Sequence, residues 1–387
     1  MSRRLSHLLC LDDFEEAARR HLPRPIFGYV AGASETNRSL RDNREAFDEW
    51  GFLPGVLVDV SKRDPSVELF GRRYALPFGI APMGIAALWA YRGDLVLAAG
   101  AAEAGAVAIM SGSSLIRLED IAQQSPQTWF QAYLPGEQAQ IDALIERVAA
   151  AGFRTLVITV DTPVAANREN NLRTGFSTPL RPTPRLAWDG ITHPRWTLGT
   201  FLRTIRRHGM PHFENNYATR GAPILSPDVL RDYSDRGHLN WEHLARIRAN
   251  WNGRLVIKGV MRPADARRAR DTGADALIVS NHGGRQLDGT VSPLRVLPDI
   301  VAACPELPVM FDSGIRRGTD VLKALALGAR MVFVGRPFAY AAAVGGAAGV
   351  SHAIALLQNE ILIDMALLGI TRIGELDRET HLYRHRG

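Results

Sequence analysis

Cysteine is nearly absent from this chain: Cys10 and Cys304 are the only two in 387 residues. Two distant thiols give neither a disulfide framework nor metal-ligand spacing, so a reducing interior is the expected setting and no metal is expected. No uninterrupted apolar run reaches the roughly 20 residues that span a bilayer. No signal peptide is expected, because Leu8-Leu9-Cys10-Leu11 is too short for an apolar core and Asp12 and Asp13 follow at once. A Gly-x-Gly-x-x-Gly after the first strand and a Walker loop are both missing, which argues against a dinucleotide in a Rossmann site and against a P-loop. Lysine is scarce too, with Lys62, Lys258 and Lys323 the only three among 46 basic residues.

The basic charge that is present is uneven. Residues 172–213 hold Arg173, Arg181, Arg185, Arg195, Arg203, Arg206 and Arg207 against the single acid Asp189, a surplus equal to the whole net charge of +6. The rest of the chain is balanced, so a general nucleic-acid surface is not expected. With 46% hydrophobic and 22% charged residues the composition is globular and ample for a large core.

Short apolar runs rich in β-branched residues recur at Phe78–Pro82, Ala106–Met110, Thr128–Ala132, Thr155–Val160, Leu255–Lys258, Ala276–Ser280, Pro308–Asp312 and Met331–Gly335. Helical patterns lie between them at Asp94–Glu103, Leu118–Gln124, Gln138–Ala150, Trp241–Asn250, Pro263–Thr272, Leu294–Ala303 and Thr319–Leu327. Alternation of this kind predicts parallel βαβ units, and eight of them predict a (β/α)8 TIM barrel. The Ala/Gly-rich run Phe338–Val350 reads as a packed helix. Residues 1–75 are an N-terminal helical extension or lid, 76–371 the barrel, and 372–387 a C-terminal tail. The step from the fourth strand to the fifth is several times longer than its neighbours, which makes 163–238 an insertion in the loop after strand four.

In such a barrel the chemistry lies at the C-terminal strand ends. Those ends carry Ser111, Gln131, Tyr133, Thr159, Asp161, Lys258, His282, Arg285, Asp312 and Arg336. The densest stretch is Ser280-Asn-His-Gly-Gly-Arg-Gln-Leu-Asp-Gly289. A neutral imidazole suits proton transfer near pH 7, and a guanidinium three residues on suits a bidentate grip on a carboxylate. By itself a His-x-x-Arg on a glycine turn also fits a satisfied core histidine beside a solvated arginine. Strands seven and eight end in Asp312-Ser-Gly-Ile-Arg-Arg-Gly-Thr319 and Gly335-Arg336-Pro337, each opening a helix. Barrels commonly bind phosphate there through backbone N–H groups, with Arg316 and Arg336 adding charge and Arg317 a solvated neighbour. A phosphate-bearing cofactor is implied.

Matching pieces along nearly the whole chain then carry a resemblance: Asp42-Asn43 with Ala46-Phe47, Pro82-Met83-Gly84, Phe130-Gln-Ala-Tyr133, Thr159-Val-Asp161, Arg168-Glu169, Val256-Ile-Lys-Gly259, the Ser280–Gly289 turn, Gly314-Ile-Arg-Arg-Gly-Thr319 and Lys323-Ala-Leu-Ala-Leu-Gly328. Together they resemble the FMN-dependent L-2-hydroxy acid dehydrogenase/oxidase family. Asp189-Gly190, His193-Pro-Arg-Trp196 and His208-Gly-Met-Pro211 are most like its (S)-mandelate-oxidising branch. The resemblance implies FMN held by Pro82, Met83, Gly84, Ser111, Gln131, Thr159, Lys258 and Ser280, with Asp312, Arg316, Gly335 and Arg336 at the ribityl-phosphate end. It implies His282 as base, Asp161 as its partner, and Arg285 and Arg168 as carboxylate ligands. Tyr133 and Tyr29 would bond substrate oxygens, although Tyr29 by its surroundings reads as core or lid.

The implied reaction takes a small 2-hydroxy acid to the 2-keto acid, and departure of the α-hydrogen as proton or as hydride is compatible with these residues. Ser113, small where glycolate oxidases carry an aromatic, leaves room for a larger substrate side chain. Gly84, an alanine in many oxidases, points to a quinone or other carrier as acceptor. Ala132 stands where leucine is usual and is expected to face away from the site. Lactate dehydrogenase or oxidase activity is the near alternative. A Schiff-base aldolase using Lys258 is the distant one. The arginines of 172–213 with Phe176, Trp188, Trp196 and Phe201 suit an anionic bilayer. Peripheral or monotopic attachment at the cytoplasmic face of the inner membrane is expected, as is a homo-oligomer, a tetramer by resemblance.

Overall fold

The computed structural model describes residues 5–177, 183–226 and 236–385. Eight parallel strands form the central sheet: β1 (Phe78–Ile80), β2 (Ile109–Ser111), β3 (Trp129–Ala132), β4 (Thr155–Thr159), β5 (Arg254–Val260), β6 (Ala276–Val279), β7 (Val309–Asp312) and β8 (Val332–Val334). From β2 to β8 each pairs with the next, β8 pairs with β1, and the parallel bridge Ile80–Ala108 joins β1 to the start of β2 and closes the ring. All eight strands predicted from the sequence are present. Helices Leu118–Gln124, Gln138–Ala150 and Trp241–Asn250 have the predicted limits.

Side chains alternate across a strand with period two, and that alternation sorts this barrel. Trp129, Val157, Val256, Ile278, Met310 and Phe333 pack inside it as one apolar cluster. Two residues further along the same strands come Gln131, Thr159, Lys258, Ser280, Asp312 and Gly335. A greasy layer therefore supports a polar layer at the C-terminal rim. Gly79 makes room in the lower layer, since a Cβ there would lie 2.8 Å from Cε1 of Phe333. Ala132 is buried in the outer cluster, between barrel and helices, as expected. The hairpin Val67–Leu69/Arg72–Tyr74 packs Leu69 and Tyr74 into the inner apolar cluster. Its two-residue loop, Phe70-Gly71, has both φ values positive, the geometry that matches hairpin twist.

Three helices, Leu11–His21, Arg24–Ala31 and Arg38–Asp48, precede the barrel. The short strand Trp50–Phe52 pairs antiparallel with Leu382–Arg384, tying the two ends of the chain together. The Ala/Gly-rich run belongs to a longer helix than the sequence suggests, Arg336–Leu368, broken by non-helical Gly346. By length and composition it is apolar enough to cross a membrane. Its Phe338, Tyr340, Val350, Leu357 and Met365 are nevertheless buried in the main core, and it packs on Leu11–His21 and Gly93–Glu103.

The insertion after β4 is helical over Glu169–Thr174 and again from Pro184 to His208, with an interruption at His193 and a π turn at Thr197–Leu202. One expectation needs correction here. Trp196 and Phe176 are buried, and Phe201 stacks on Trp196 at 5.5 Å. Of the four aromatics only Trp188 is exposed as expected, and the other exposed apolar residues of the segment are aliphatic: Leu172, Ile191, Leu198 and Leu202. Arg185, Arg195 and Arg206 on the same stretch are exposed as well. Arg181 lies outside the described residues.

Candidate active site

The polar rim opens into a cavity of about 1050 Å³, counting its mouth, roofed by Tyr29 and Val30 of the helix Arg24–Ala31. Pro82, Met83, Gly84, Ser113, Tyr133, Thr159, Arg168, Lys258, His282, Arg285, Asp312, Arg316, Gly335 and Arg336 all line it. Ser111, Gln131 and Ser280 are buried in the rim beneath. Asp161 stands behind His282, facing a neighbouring recess. Strand-end residues that the barrel pattern gathered, and Tyr29, Ser113 and Arg168, which only the resemblance added, thus meet at one place.

His282 adopts a left-handed backbone, φ 58°, uncommon for a residue with a side chain. Its N–H donates to Ser280 Oγ at 3.0 Å, and its Nδ1 lies 3.0 Å from Asp161 Oδ1. An ionised carboxylate only accepts, so Nδ1 carries the hydrogen and Nε2 the lone pair. Nε2 lies 3.4 Å from the Tyr133 hydroxyl. Burial lowers the affinity of the imidazole for a proton, and Asp161 opposes this only in part. Burial alone would raise the Asp161 carboxyl, but the His282 ring and the Lys258 ammonium outweigh it and hold it low. The resting pair is therefore a neutral imidazole and a carboxylate, an arrangement able to accept a proton at Nε2 and stabilise the cation that results.

Arg285 donates through Nη1 to the carbonyls of Tyr29 and Gly32, both at 2.7 Å, and its guanidinium lies over the Tyr29 ring. Burial, and then the neighbouring Arg168, push the guanidinium down to about 9. A cation so disfavoured is relieved by an incoming anion. Arg168 donates to the Arg285 carbonyl at 3.1 Å and to Gln286 Oε1 at 2.6 Å. Gln286 in turn donates to the Asp161 carbonyl at 3.0 Å, a link that sequence reasoning missed although Gln286 stands in the central turn.

Lys258 and Asp312 form a buried ion pair at 2.8 Å, and Lys258 also donates to Ser280 Oγ at 2.7 Å. Nothing in the sequence couples these two residues, which the family resemblance places at different parts of the cofactor. Arg336 spends donors on the carbonyls of Val30, Gly32 and Gly283. Arg317 is paired with Glu360 at 2.9 Å rather than merely solvated.

The two glycines of the turn, Gly283 and Gly284, serve different neighbours. Gly283 does border the cavity, where a Cβ would lie 2.8 Å from Arg336 Nη1. At Gly284 it would lie 2.7 Å from the backbone nitrogen of Leu40. The second glycine therefore admits the N-terminal segment. That segment holds the turn firmly: Ser34 Oγ donates to the carbonyls of Gly284 and Gln286, and Asn43 and Asn281 exchange amide hydrogen bonds at 2.9 and 2.8 Å. Trp89, another cavity residue not anticipated, comes from a four-residue helix, Ala86–Trp89, too short to carry a periodic signal.

A closed parallel barrel whose strand ends converge on one polar cavity is the architecture of a barrel enzyme. The chain belongs to the FMN-dependent dehydrogenase family, whose profile matches residues 18–384. It is 37% identical over 373 residues to the (S)-mandelate dehydrogenase of Pseudomonas putida, covering 96% of this chain and 93% of that one. It is 38% identical over 374 residues to an L-lactate dehydrogenase of Azorhizobium caulinodans, covering 95% and 97%. Among solved structures, the monotopic membrane protein (S)-mandelate dehydrogenase superposes with a TM-score of 0.88 at 34% identity, covering 97% of this chain and 99% of that one. The activity this establishes is FMN-dependent oxidation of a 2-hydroxy acid.

The residues present suit FMN. Gln131 is wholly buried, its Oε1 bonded by the Ser111 hydroxyl, while its Nε2 has no partner among the described residues. A buried donor left open costs about 1–3 kcal/mol unless a ligand accepts from it, and the flavin ring offers acceptors. At Gly335 the nearest side-chain atoms to a built Cβ are 3.8 Å away, leaving room for a ligand against the backbone.

Proposed function

We propose that this protein oxidises (S)-mandelate, or a closely similar aryl 2-hydroxy acid, to the 2-keto acid. The observation that carries the reading is the His282 ring, fixed by Asp161 at 3.0 Å, with Arg285 three residues on along the same turn and facing the same cavity. Arg285 and Arg168 bind the substrate carboxylate and so fix the α-carbon beneath His282. Tyr133 and Tyr29 hydrogen-bond substrate oxygens. His282 Nε2 takes a proton from the substrate, and Asp161 stabilises the imidazolium, as the acid does in a triad.

FMN, when bound, supplies the sink for the two electrons that leave the substrate. Pro82, Met83, Gly84, Ser111, Gln131, Thr159, Lys258 and Ser280 would hold its ring and ribityl chain, with Asp312 accepting from ribityl hydroxyls. Arg316, Gly335 and Arg336 would hold the phosphate at the N-terminus of the last long helix. The Schiff-base reading of Lys258 is set aside, because its Nζ is committed to Asp312 and Ser280. Small Ser113 in the cavity wall favours an aryl substituent. L-Lactate is the second reading, favoured by the similar identity to lactate dehydrogenases.

Electrons leave to a quinone or other carrier rather than oxygen. Exposed Trp188, Ile191, Leu198 and Leu202 beside exposed arginines support peripheral attachment to an anionic membrane surface; we place it on the cytoplasmic face. A homotetramer is proposed on the family resemblance. Anaerobic titration with (S)-mandelate, L-lactate and glycolate tests the reading: mandelate should bleach the flavin fastest. Faster bleaching by lactate would favour the second reading, and no bleaching by any of the three would defeat both.

A further inference from the structure

The loop after β1 carries Trp89 to the cavity wall on a single helical turn. The turn is bounded by Ile85 and Arg92, both side-chain-bearing residues in left-handed backbone. Ile85 N donates to the Ser113 carbonyl at 2.9 Å, which joins this loop to the other wall residue that favours an aryl group. Trp89 borders the cavity but is almost wholly buried, at 1% exposure, so only an edge of its indole is presented there.

The insertion grips this turn at two points. Indole Nε1 of Trp196 donates to the Leu88 carbonyl at 2.8 Å. The last carbonyls of so short a helix have no partner within it, so the bond supplies what the helix lacks. Further on, the Tyr91 hydroxyl lies 3.0 Å from His208 Nε2, and the Arg203 guanidinium sits 3.8 Å over the Tyr91 ring. Trp196 and Phe201 stack beneath, on the same stretch that exposes Leu198 and Leu202 to solvent.

We propose that Trp89 is a specificity-determining wall for the aryl side chain, and that Trp196 is its positioning residue. An aromatic substituent gains packing and ring-ring attraction against an indole that a methyl group cannot match. The inference rests on the 2-hydroxy acid reading above and names the part of the cavity that selects within that class. The insertion thereby has a second role, because the segment that faces outward also holds one wall of the site from behind.

The test is anaerobic flavin reduction by (S)-mandelate and L-lactate in the wild type and in Trp89→Leu, Trp89→Phe and Trp196→Phe, with FMN affinity followed by flavin fluorescence. Trp89→Leu should lower the mandelate-to-lactate ratio of reduction efficiency by about tenfold, and Trp89→Phe, which keeps a ring and guards against misfolding, by about threefold. Trp196→Phe should lower it about threefold through weaker mandelate binding, with the limiting reduction rate and FMN affinity unchanged. An unchanged ratio in both Trp89 variants overturns the wall. An unchanged ratio in Trp196→Phe overturns the tether. A wild-type flavin that neither acid bleaches defeats the underlying reading itself.

Discussion

His282 Nδ1 lies 3.0 Å from Asp161 Oδ1, although the two residues are 121 positions apart in the chain. Burial makes the imidazole a weaker base than in water, so it is neutral from below its ordinary 6.5 upwards. The acceptor form is lost only as pH falls through that lowered value. Flavin reduction at subsaturating substrate should therefore stay constant from pH 8 to about 6.5 and decline below. A decline that begins above 7 would contradict the assignment. His282→Ala should abolish bleaching with FMN retained. Asp161→Asn should slow reduction by roughly a hundredfold or more, since it removes the group that stabilises the imidazolium.

Lys258 and Asp312 are both buried and joined at 2.8 Å. Removing one partner strands the other charge, which costs about 3–5 kcal/mol. Lys258→Met and Asp312→Asn should each destabilise the apoprotein in urea by about that much. The double replacement Lys258→Met/Asp312→Leu should recover part of the loss. Independent, additive losses would show that the two do not act as a pair.

Arg285 binds two carbonyls through Nη1 and is disfavoured as a cation by burial and Arg168. A lysine cannot reproduce both the carbonyl contacts and a fork toward a carboxylate. Arg285→Lys should raise the substrate dissociation constant by about tenfold or more, with a smaller effect on FMN affinity. Equal weakening of both ligands would point to a collapsed site instead.

Asp288 reaches across to the helix Arg38–Asp48, accepting from the Thr36 hydroxyl at 2.6 Å, from Ser39 N at 2.9 Å and from Thr36 N at 3.0 Å. It acts as an N-cap supplied from the catalytic turn, at a helix whose own Asn37 makes no side-chain cap. Burial would raise its carboxyl, but these hydrogen bonds prevail and bring it down to about 2. A depressed carboxyl adds stability that is complete above its unfolded value of 3.8 and is lost as pH falls toward 2. Asp288→Asn should cost about 1 kcal/mol at pH 7, and the gap from wild type should narrow below about pH 4. A gap that widens in acid would be the wrong sign.

The exposed apolar residues of the insertion should carry membrane binding. Replacing Trp188, Ile191 and Leu198 with serine should release the protein from anionic vesicles while leaving flavin content intact. Arg195→Glu with Arg206→Glu should weaken binding to anionic vesicles by at least about fivefold per site at low salt, and little for neutral vesicles. Replacing buried Trp196 should not release it, because that ring faces Leu88.

Periodicity in the sequence determined the barrel and most of its rim. Apolar runs of strand length, spaced for βαβ units, define eight strands, and period two then fixes that Gln131, Thr159, Lys258, Ser280 and Asp312 share the inner face with the apolar residues two positions before them. Composition located the basic insertion but could not divide Trp188 from Trp196, since an exposed and a buried tryptophan look alike in a charge count. Tertiary structure alone decided which partner each polar group meets: Asp161 for His282, Asp312 for Lys258, Leu40 against Gly284, Leu88 for Trp196. The reason is physical. Local pattern sets the face a side chain points from, while the atoms it points at belong to segments more than 300 residues away, as Val30 is from Arg336, brought there by closure of the barrel and the folding back of the N-terminal helices.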